Sequence, residues 1–191
     1  NLRFAGLANV GPGSPFFPAA YHDDGPVSVA LATESADLAV ESFQNAASLA
    51  AARRQLVSSI EIHAAALTRA AEPVAAEHGI RFLGIDFSPA PYPEPDRSIG
   101  TALELLGAPA LGLSGTAAAA AFLTDCLAQA QFARTGFCSL MLPVLEDSIL
   151  ALRAAEGRLG LTELLLMSTV CGCGLDTIPL PGEVNTESLS A

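Results

Sequence analysis

The sequence predicts an α/β chain, and three observations carry that prediction. Short apolar segments alternate with longer stretches whose apolar residues recur every three to four positions. Predicted strands over 80–87, 137–144 and 162–170 are joined through helical segments, which calls for parallel pairing and right-handed crossovers. These strands are almost continuously apolar, as in a sheet covered on both faces. The expected architecture is a mostly parallel sheet with helical crossovers.

Each element follows from local chemistry. Arg3 to Ala8 and Val27 to Ala32 read as the first two strands. Between them runs a long Pro/Gly segment, Gly11 to Gly25, whose Phe16 and Phe17 suggest that part of it packs down. Ser35 is the expected N-cap of a helix over 36–47. A longer helix over 49–78 carries Leu49, Leu56, Ile60, His63, Leu67, Ala71 and Val74 on one stripe, with Pro73 expected to kink or shorten its end and Gly79 to stop it. After the strand at 80–87, a proline-rich loop leads to helices over 98–106 and 116–132, separated by the turn Gly112-Leu113-Ser114-Gly115. The fourth strand, a helix over 147–156 and the fifth strand complete one domain segment over 1–182. Residues 183–191 form a polar tail expected to fray.

Composition narrows the chemistry. The 191 residues carry 9 cations, all arginine, against 20 Asp and Glu, for a formal net charge of −11. Without lysine there is no Schiff base, phosphate-loop lysine or lysine nucleophile in this segment. The scattered arginines and acidic balance argue against a nucleic-acid partner. The longest uninterrupted apolar run, Ala117 to Leu123, is far shorter than the ~18 residues of a membrane span. With mean hydropathy at +0.43, the apolar surplus is expected inside a doubly covered sheet and against another chain. Asn1 leads directly into a strand with no charged leader and apolar core, and four cysteines show no disulfide framework, so a cytoplasmic setting is expected.

In parallel α/β sheets ligands bind beyond the carboxyl ends of the strands. The residues there are Asn9 after the first strand, Asp86, Ser88, Arg97 and Ser98 after the third, Glu146 and Asp147 after the fourth, and Cys171, Cys173 and Asp176 after the fifth. Local roles compete with this reading, since Asp147 would equally cap a helix and Asp86 bond its own turn. Cys171, Asp86 and Glu146 are the candidate catalytic groups, with Cys171 the nucleophile. Asn9, His22, Arg97, Ser98, Asp147, Cys173 and Asp176 are the candidate ligand-binding groups, Arg97 holding an anionic group through bidentate hydrogen bonds. His22 lies in a loop with freedom to act as an acid or base, whereas His63 is expected as a hydrogen-bonded core residue. Cys126 and Cys138 are expected in the core. Spacing suited to a metal site is absent, and no cofactor is identified. The expected partner is a small anionic metabolite. A non-catalytic metabolite-binding or regulatory role is the alternative to an enzyme.

Several segments together resemble a known family. They are Leu7-Ala8-Asn9-Val10 with Pro15 to His22; Gly84-Ile85-Asp86 with Arg97-Ser98-Ile99-Gly100; Gly115-Thr116 and Ala121 to Asp125; Leu140 to Asp147; and Cys171 to Gly182. In this order they resemble domain-of-unknown-function family 711, also called uncharacterised protein family 0210, of bacteria and archaea. The resemblance implies that this chain corresponds to the central part of a longer, homodimeric protein of no established activity. It also implies a fold similar to the ten-stranded barrel of pyruvate formate-lyase-like glycyl radical enzymes, of which five strands would make about half. Those enzymes carry a reactive cysteine on a loop inside the barrel, which directs attention to Cys171. Their Arg-Val-x-Gly-Tyr radical segment does not occur in this sequence.

Overall fold

Two parallel strands joined by a pair of helices form the centre of the computed structural model, which describes residues 10–17, 19–22, 24–171 and 183–190. The predicted strand over residues 3–8 lies outside the described residues. β1 (Ser28–Ala32) pairs with β2 (Arg81–Asp86), and the crossover between them is α1 (Ala36–Gln44) followed by α2 (Leu49–Glu77). The expected α/β class with helical crossover therefore holds, on a sheet of two strands among the described residues.

The pairing places Val29 beside Phe82 and Leu31 beside Ile85, with an extra residue on β2 between these pairs. Gly84 sits in that irregularity at φ +110°, and a Cβ there would run into the Ala133 carbonyl. A glycine thus lets residues 133–135 approach β2, where Ile85 N–H donates to Ala133 O (2.8 Å) and Thr135 N–H to Ile85 O (3.2 Å). This single parallel bridge at Arg134 extends the sheet by one step.

α1 begins after Ser35 as expected, but the Ser35 hydroxyl donates to Ser88 O (3.1 Å) instead of capping its own helix. α2 runs through Pro73 to Glu77. Its core-facing stripe is made of Ala52, Leu56, Ile60 and Ala64, so small residues let it lie close against its neighbours. α3 (Ile99–Leu105) and α4 (Thr116–Gln129) match the expected helices within a few residues. The core joins Leu56 and Ile60 to Ile85, Ile99, Leu103, Leu123, Leu140 and Leu150, all fully buried. Each such side chain contributes about 1.5–3 kcal/mol by leaving water. In the long loop, Phe17 packs edge-on against Phe137 at 5.4 Å between centroids, and Tyr21 and Gly13–Ser14 exchange backbone hydrogen bonds.

Two predicted strands are not strands. Residues 137–144 are irregular, although Leu140, Leu142 and Val144 are buried. Gly136 and Cys138 have positive φ (+69° and +47°), and Pro143 has no N–H to give to a ladder. The amides a strand would pair are taken by side chains: Phe137 and Cys138 N–H donate to Asp86, and Ser139 N–H to the Ser88 hydroxyl. The segment predicted as a strand over 162–170 contains α6 (Leu161–Met167), following α5 (Ser148–Ala155). Leu164 and Met167 are buried three residues apart, and the Glu163 carboxylate accepts from Gly160 N–H at the helix start (2.9 Å). A short apolar run fits either state, and its capping residue decides for helix. The tail, expected to fray, forms a short helix, α7 (Thr186–Ser190). No helix among the described residues is long and apolar enough to cross a membrane.

Candidate functional site

The carboxyl edge of the β1–β2 pair is built from two short segments. After β1 come Thr33, Glu34 and Ser35; after β2 come Phe87, Ser88, Pro89 and Ala90. They stay paired beyond the sheet: Thr33 N–H donates to Asp86 O (3.1 Å), Ala36 N–H donates to Ala90 O (3.3 Å), and Glu34 bridges Pro89. With α1 starting at this edge, Glu34 and Asp37 are held one on each side of the Ser35 turn. The loop from Ala90 passes Tyr92 and a 3₁₀ turn, Pro95–Arg97, before α3.

These segments enclose a cleft of about 170 Å³ lined by Glu34, Ala36, Asp37, Ala90, Tyr92 and Arg97. The Arg97 guanidinium lies over the Tyr92 ring, 5.3 Å from its centroid, and makes one long ion pair with Glu94 (3.6 Å). Its side chain is 52% exposed. Among the described residues, neither Glu34 nor Asp37 has an ion-pair partner. Glu34 and Asp37 also line a second, more apolar cavity of about 330 Å³ with Thr33, His63, Leu67 and Phe87. His63, expected in the core, is exposed and faces this cavity: α2 buries Ile60 and Ala64, which turns the position between them toward the sheet edge. The arrangement offers a guanidinium, a phenol and two carboxylates around one small space.

Other sequence candidates occupy different places. Asp86 is buried beneath the sheet edge and accepts from Ser88 Oγ (2.7 Å), Ser88 N–H (3.2 Å), Phe137 N–H (2.7 Å) and Cys138 N–H (2.9 Å). Asp147 and Ser98 meet directly at 2.6 Å, joining the starts of α3 and α5. Glu146 is exposed in the turn before α5. Cys171 is buried just after α6, its N–H bonded to Met167 O (3.0 Å). His22 lines a third cavity, of about 250 Å³, with Ser14, Phe16, Tyr21 and Leu83. None of these three cavities is lined by Asp86, Glu146 or Cys171. Asn9, Cys173 and Asp176 lie outside the described residues. Among the described residues no group of three His, Cys, Asp or Glu is placed to hold a metal ion.

Sequence reasoning missed Glu34, Asp37 and Tyr92. The signal was present: Glu34 and Asp37 follow a predicted strand, and the rule that ligands gather beyond strand ends applies to that strand as to the others. Cys138 was expected in the core and instead lies half-buried in the Asp86 turn, where Phe87 N–H donates to its Sγ (3.4 Å). Burial pushes its thiol above the usual range, and the nearby Asp86 charge adds to this, against the opposing hydrogen bond from Phe87. Burial likewise raises Cys126, which is in the core of α4 as expected.

A family profile described as "Uncharacterised ACR (DUF711)" matches residues 1–191. The chain is 34% identical to a UPF0210 protein of Pyrobaculum arsenaticum and 35% identical to one of Pyrobaculum aerophilum, each alignment covering 99% of the chain and 44% of the relative. It is 31% identical to a UPF0210 protein of Methanopyrus kandleri, over 98% of the chain and 43% of the relative. The chain thus spans less than half the length of the curated relatives it matches. No solved structure matches it with significance.

Proposed function

We propose a function from the premise that this chain belongs to the uncharacterised DUF711 (UPF0210) family: it contributes an enzyme-like small-molecule site at the carboxyl edge of a parallel sheet. The observation that carries this reading is the cleft itself, which Arg97 and Tyr92 line together with Glu34 and Asp37 beyond the ends of β1 and β2. Arg97 binds an anionic group of the ligand, and its stacking on Tyr92 limits the freedom lost on binding. Asp86, Ser98 and Asp147 act as positioning residues, because their side chains fix the loops around the cleft.

In the full-length protein the two strands would sit in a larger parallel sheet, as the barrel resemblance implies, and further catalytic groups would come from the remaining length. Glu146 and Cys171 belong to this proposal as catalytic candidates outside the cleft. The alternative, metabolite binding without turnover, draws support from the buried carboxylates: Asp86 and Asp147 each accept four or more hydrogen bonds, so their oxygens are committed to the chain. We also expect a homodimer, for which exposed Leu161, Leu165 and Leu166 on α6 supply apolar surface.

The test is to purify a full-length member natively and identify the small molecule it retains by mass spectrometry. Substitution of the position equivalent to Arg97 by Gln should abolish retention. An unchanged molecule held equally by that variant would defeat the proposed site. Conversion of the retained molecule on incubation separates enzyme from binding protein.

A further inference from the structure

We propose that the cleft takes a small zwitterion, a molecule carrying an ammonium group and a carboxylate a few bonds apart, as a free amino acid does. This rests on the reading of the cleft as a ligand site and names the class of ligand. Three charges line the space, and they are segregated. Glu34 and Asp37 come from the β1–α1 junction, whereas Arg97 comes from the loop that follows β2. Among the described residues no cation lies within ion-pair distance of Glu34 or Asp37, and Arg97 has only its 3.6 Å contact with Glu94. The protein brings opposite charges from separate segments to one cleft without joining them.

Simpler ligands fit this charge pattern poorly. A lone anion on Arg97 would face Glu34 and Asp37 and lie near Glu94, so repulsion offsets much of the attraction. The first amide of α1 offers it no help, because Ala36 N–H is already given to Ala90 O. A lone amine would satisfy the carboxylates and leave the guanidinium unused. A metal ion lacks a ligand set, since no three His, Cys, Asp or Glu converge among the described residues. A zwitterion meets both charges: its carboxylate takes the planar fork of Arg97, and its ammonium donates to Glu34 and Asp37.

Size points the same way. The cleft holds about 170 Å³. That is below the ~300 Å³ at which pockets for drug-sized ligands begin, a volume suited to a small molecule. Ala36, Ala90 and the face of Tyr92 supply a modest apolar wall for a short side chain.

The test is isothermal titration of the protein with each of the twenty L-amino acids, then of every binder's des-amino acid and decarboxylated amine. The expected result is at least one amino acid that binds, with both truncated analogues at least tenfold weaker. Arg97→Gln should lower that amino acid to the affinity of its amine. The pair Glu34→Gln with Asp37→Asn should lower it to the affinity of its des-amino acid. Because all three side chains are at least partly exposed, melting curves of the variants should match the parent. An analogue that binds as tightly as the amino acid, or no binding by any of the twenty, overturns the zwitterion class and leaves the cleft to its own test. An amino acid that binds with affinity untouched by all three substitutions removes the cleft reading as well.

Discussion

Replacing Asp147 by Asn should destabilise the protein by about 3 kcal/mol. Asp147 is 1% exposed and accepts five hydrogen bonds. At the start of α3 the donors are Ser98 Oγ (2.6 Å), Ile99 N–H (2.6 Å) and Gly100 N–H (3.4 Å); at the start of α5 they are Ile149 N–H (3.0 Å) and Leu150 N–H (3.0 Å). One carboxylate thus caps two helices, which meet so closely that a Cβ on Gly100 would lie 2.8 Å from Ile149 Cβ. Asn keeps the shape but only one acceptor, and its NH₂ must face one set of donors. The weaker loss turns the NH₂ toward Ile99 and Gly100, since the other oxygen serves three donors. That forfeits the charge-assisted hydrogen bond from Ile99, about 1.5–3 kcal/mol, with the long one from Gly100, and leaves buried N–H groups unsatisfied, at about 1–3 kcal/mol. Removing the negative charge from two helix N-termini adds about 0.3–1 kcal/mol each. These contributions overlap, so about 3 kcal/mol is the expected total, or a fall in Tm of roughly 10 °C for a chain of this size. Urea unfolding followed by helical circular dichroism measures it, with Glu146→Gln next to it as a control expected within about 0.5 kcal/mol of the parent. A loss below about 1 kcal/mol would refute the double-cap account. A stable Asp147→Asn protein that loses its ligand would return Asp147 to the binding site.

Three further outcomes follow from other parts of the structure. Burial alone would raise the Glu104 carboxyl, but hydrogen bonds from Arg153 and the Leu111 amide, with the Arg153 and Arg158 charges, hold it below its ordinary value of 4.5. A depressed carboxyl stabilises the fold fully above its unfolded value and loses that contribution as pH falls through its folded value. The stability difference between parent and Glu104→Gln should therefore be constant above about pH 5.5 and shrink on acidification below about pH 4.5, as read from urea midpoints across pH. Gly84→Ala should cost at least about 3 kcal/mol, because it adds a backbone collision at Ala133 to an unfavourable φ; Gly79→Ala, at φ +63° in open space, should cost only about 1 kcal/mol. Iodoacetamide at neutral pH should leave Cys126 and Cys138 largely unmodified in the folded protein and label both in urea, by peptide mass spectrometry, because burial holds both thiols above the usual range.

The helical part of the fold was legible because its signals are local. Ser35, Ser48, Ser98 and Asp147 each stand at the start of an observed helix, and three of the four accept a hydrogen bond from its first turn. The long helix was legible even with Pro73 inside it, because the lost hydrogen bond falls near its end while the stripe of Ala52, Leu56, Ile60 and Ala64 packs the rest. Residues 137–144 were not legible. Their apolar run is a strand pattern, and the information against it lies about fifty residues away, in Asp86 and Ser88, whose side chains capture the amides a strand would have paired. Residues 161–167 failed for a different reason, since period alone does not separate a short apolar helix from a buried strand.

The same long-range bonding explains why the site was read only in part. Polar residues gather at the ends of predicted strands for two physical reasons, and composition cannot tell them apart. Some serve the backbone: a chain leaving a strand or entering a helix carries amides without partners, and a carboxylate placed there satisfies several together. Asp86 does this for the turn at 136–138, and Asp147 does it for α3 and α5. Others keep their polar atoms directed at open space. Arg97, Glu34 and Asp37 are of that kind, with few intramolecular bonds and a shared cleft. Arg97 was singled out from sequence because it follows the third predicted strand and its guanidinium can hold an anionic group. Glu34 and Asp37 stand at a helix start, where an acidic residue also has an ordinary explanation in the helix dipole. In the structure Asp37 accepts only the adjacent Leu38 N–H (2.9 Å), and no side-chain hydrogen bond involves Glu34 among the described residues. A strand-end acid with spare hydrogen-bonding capacity, facing an arginine it does not touch, separates a place for a ligand from a brace for the chain.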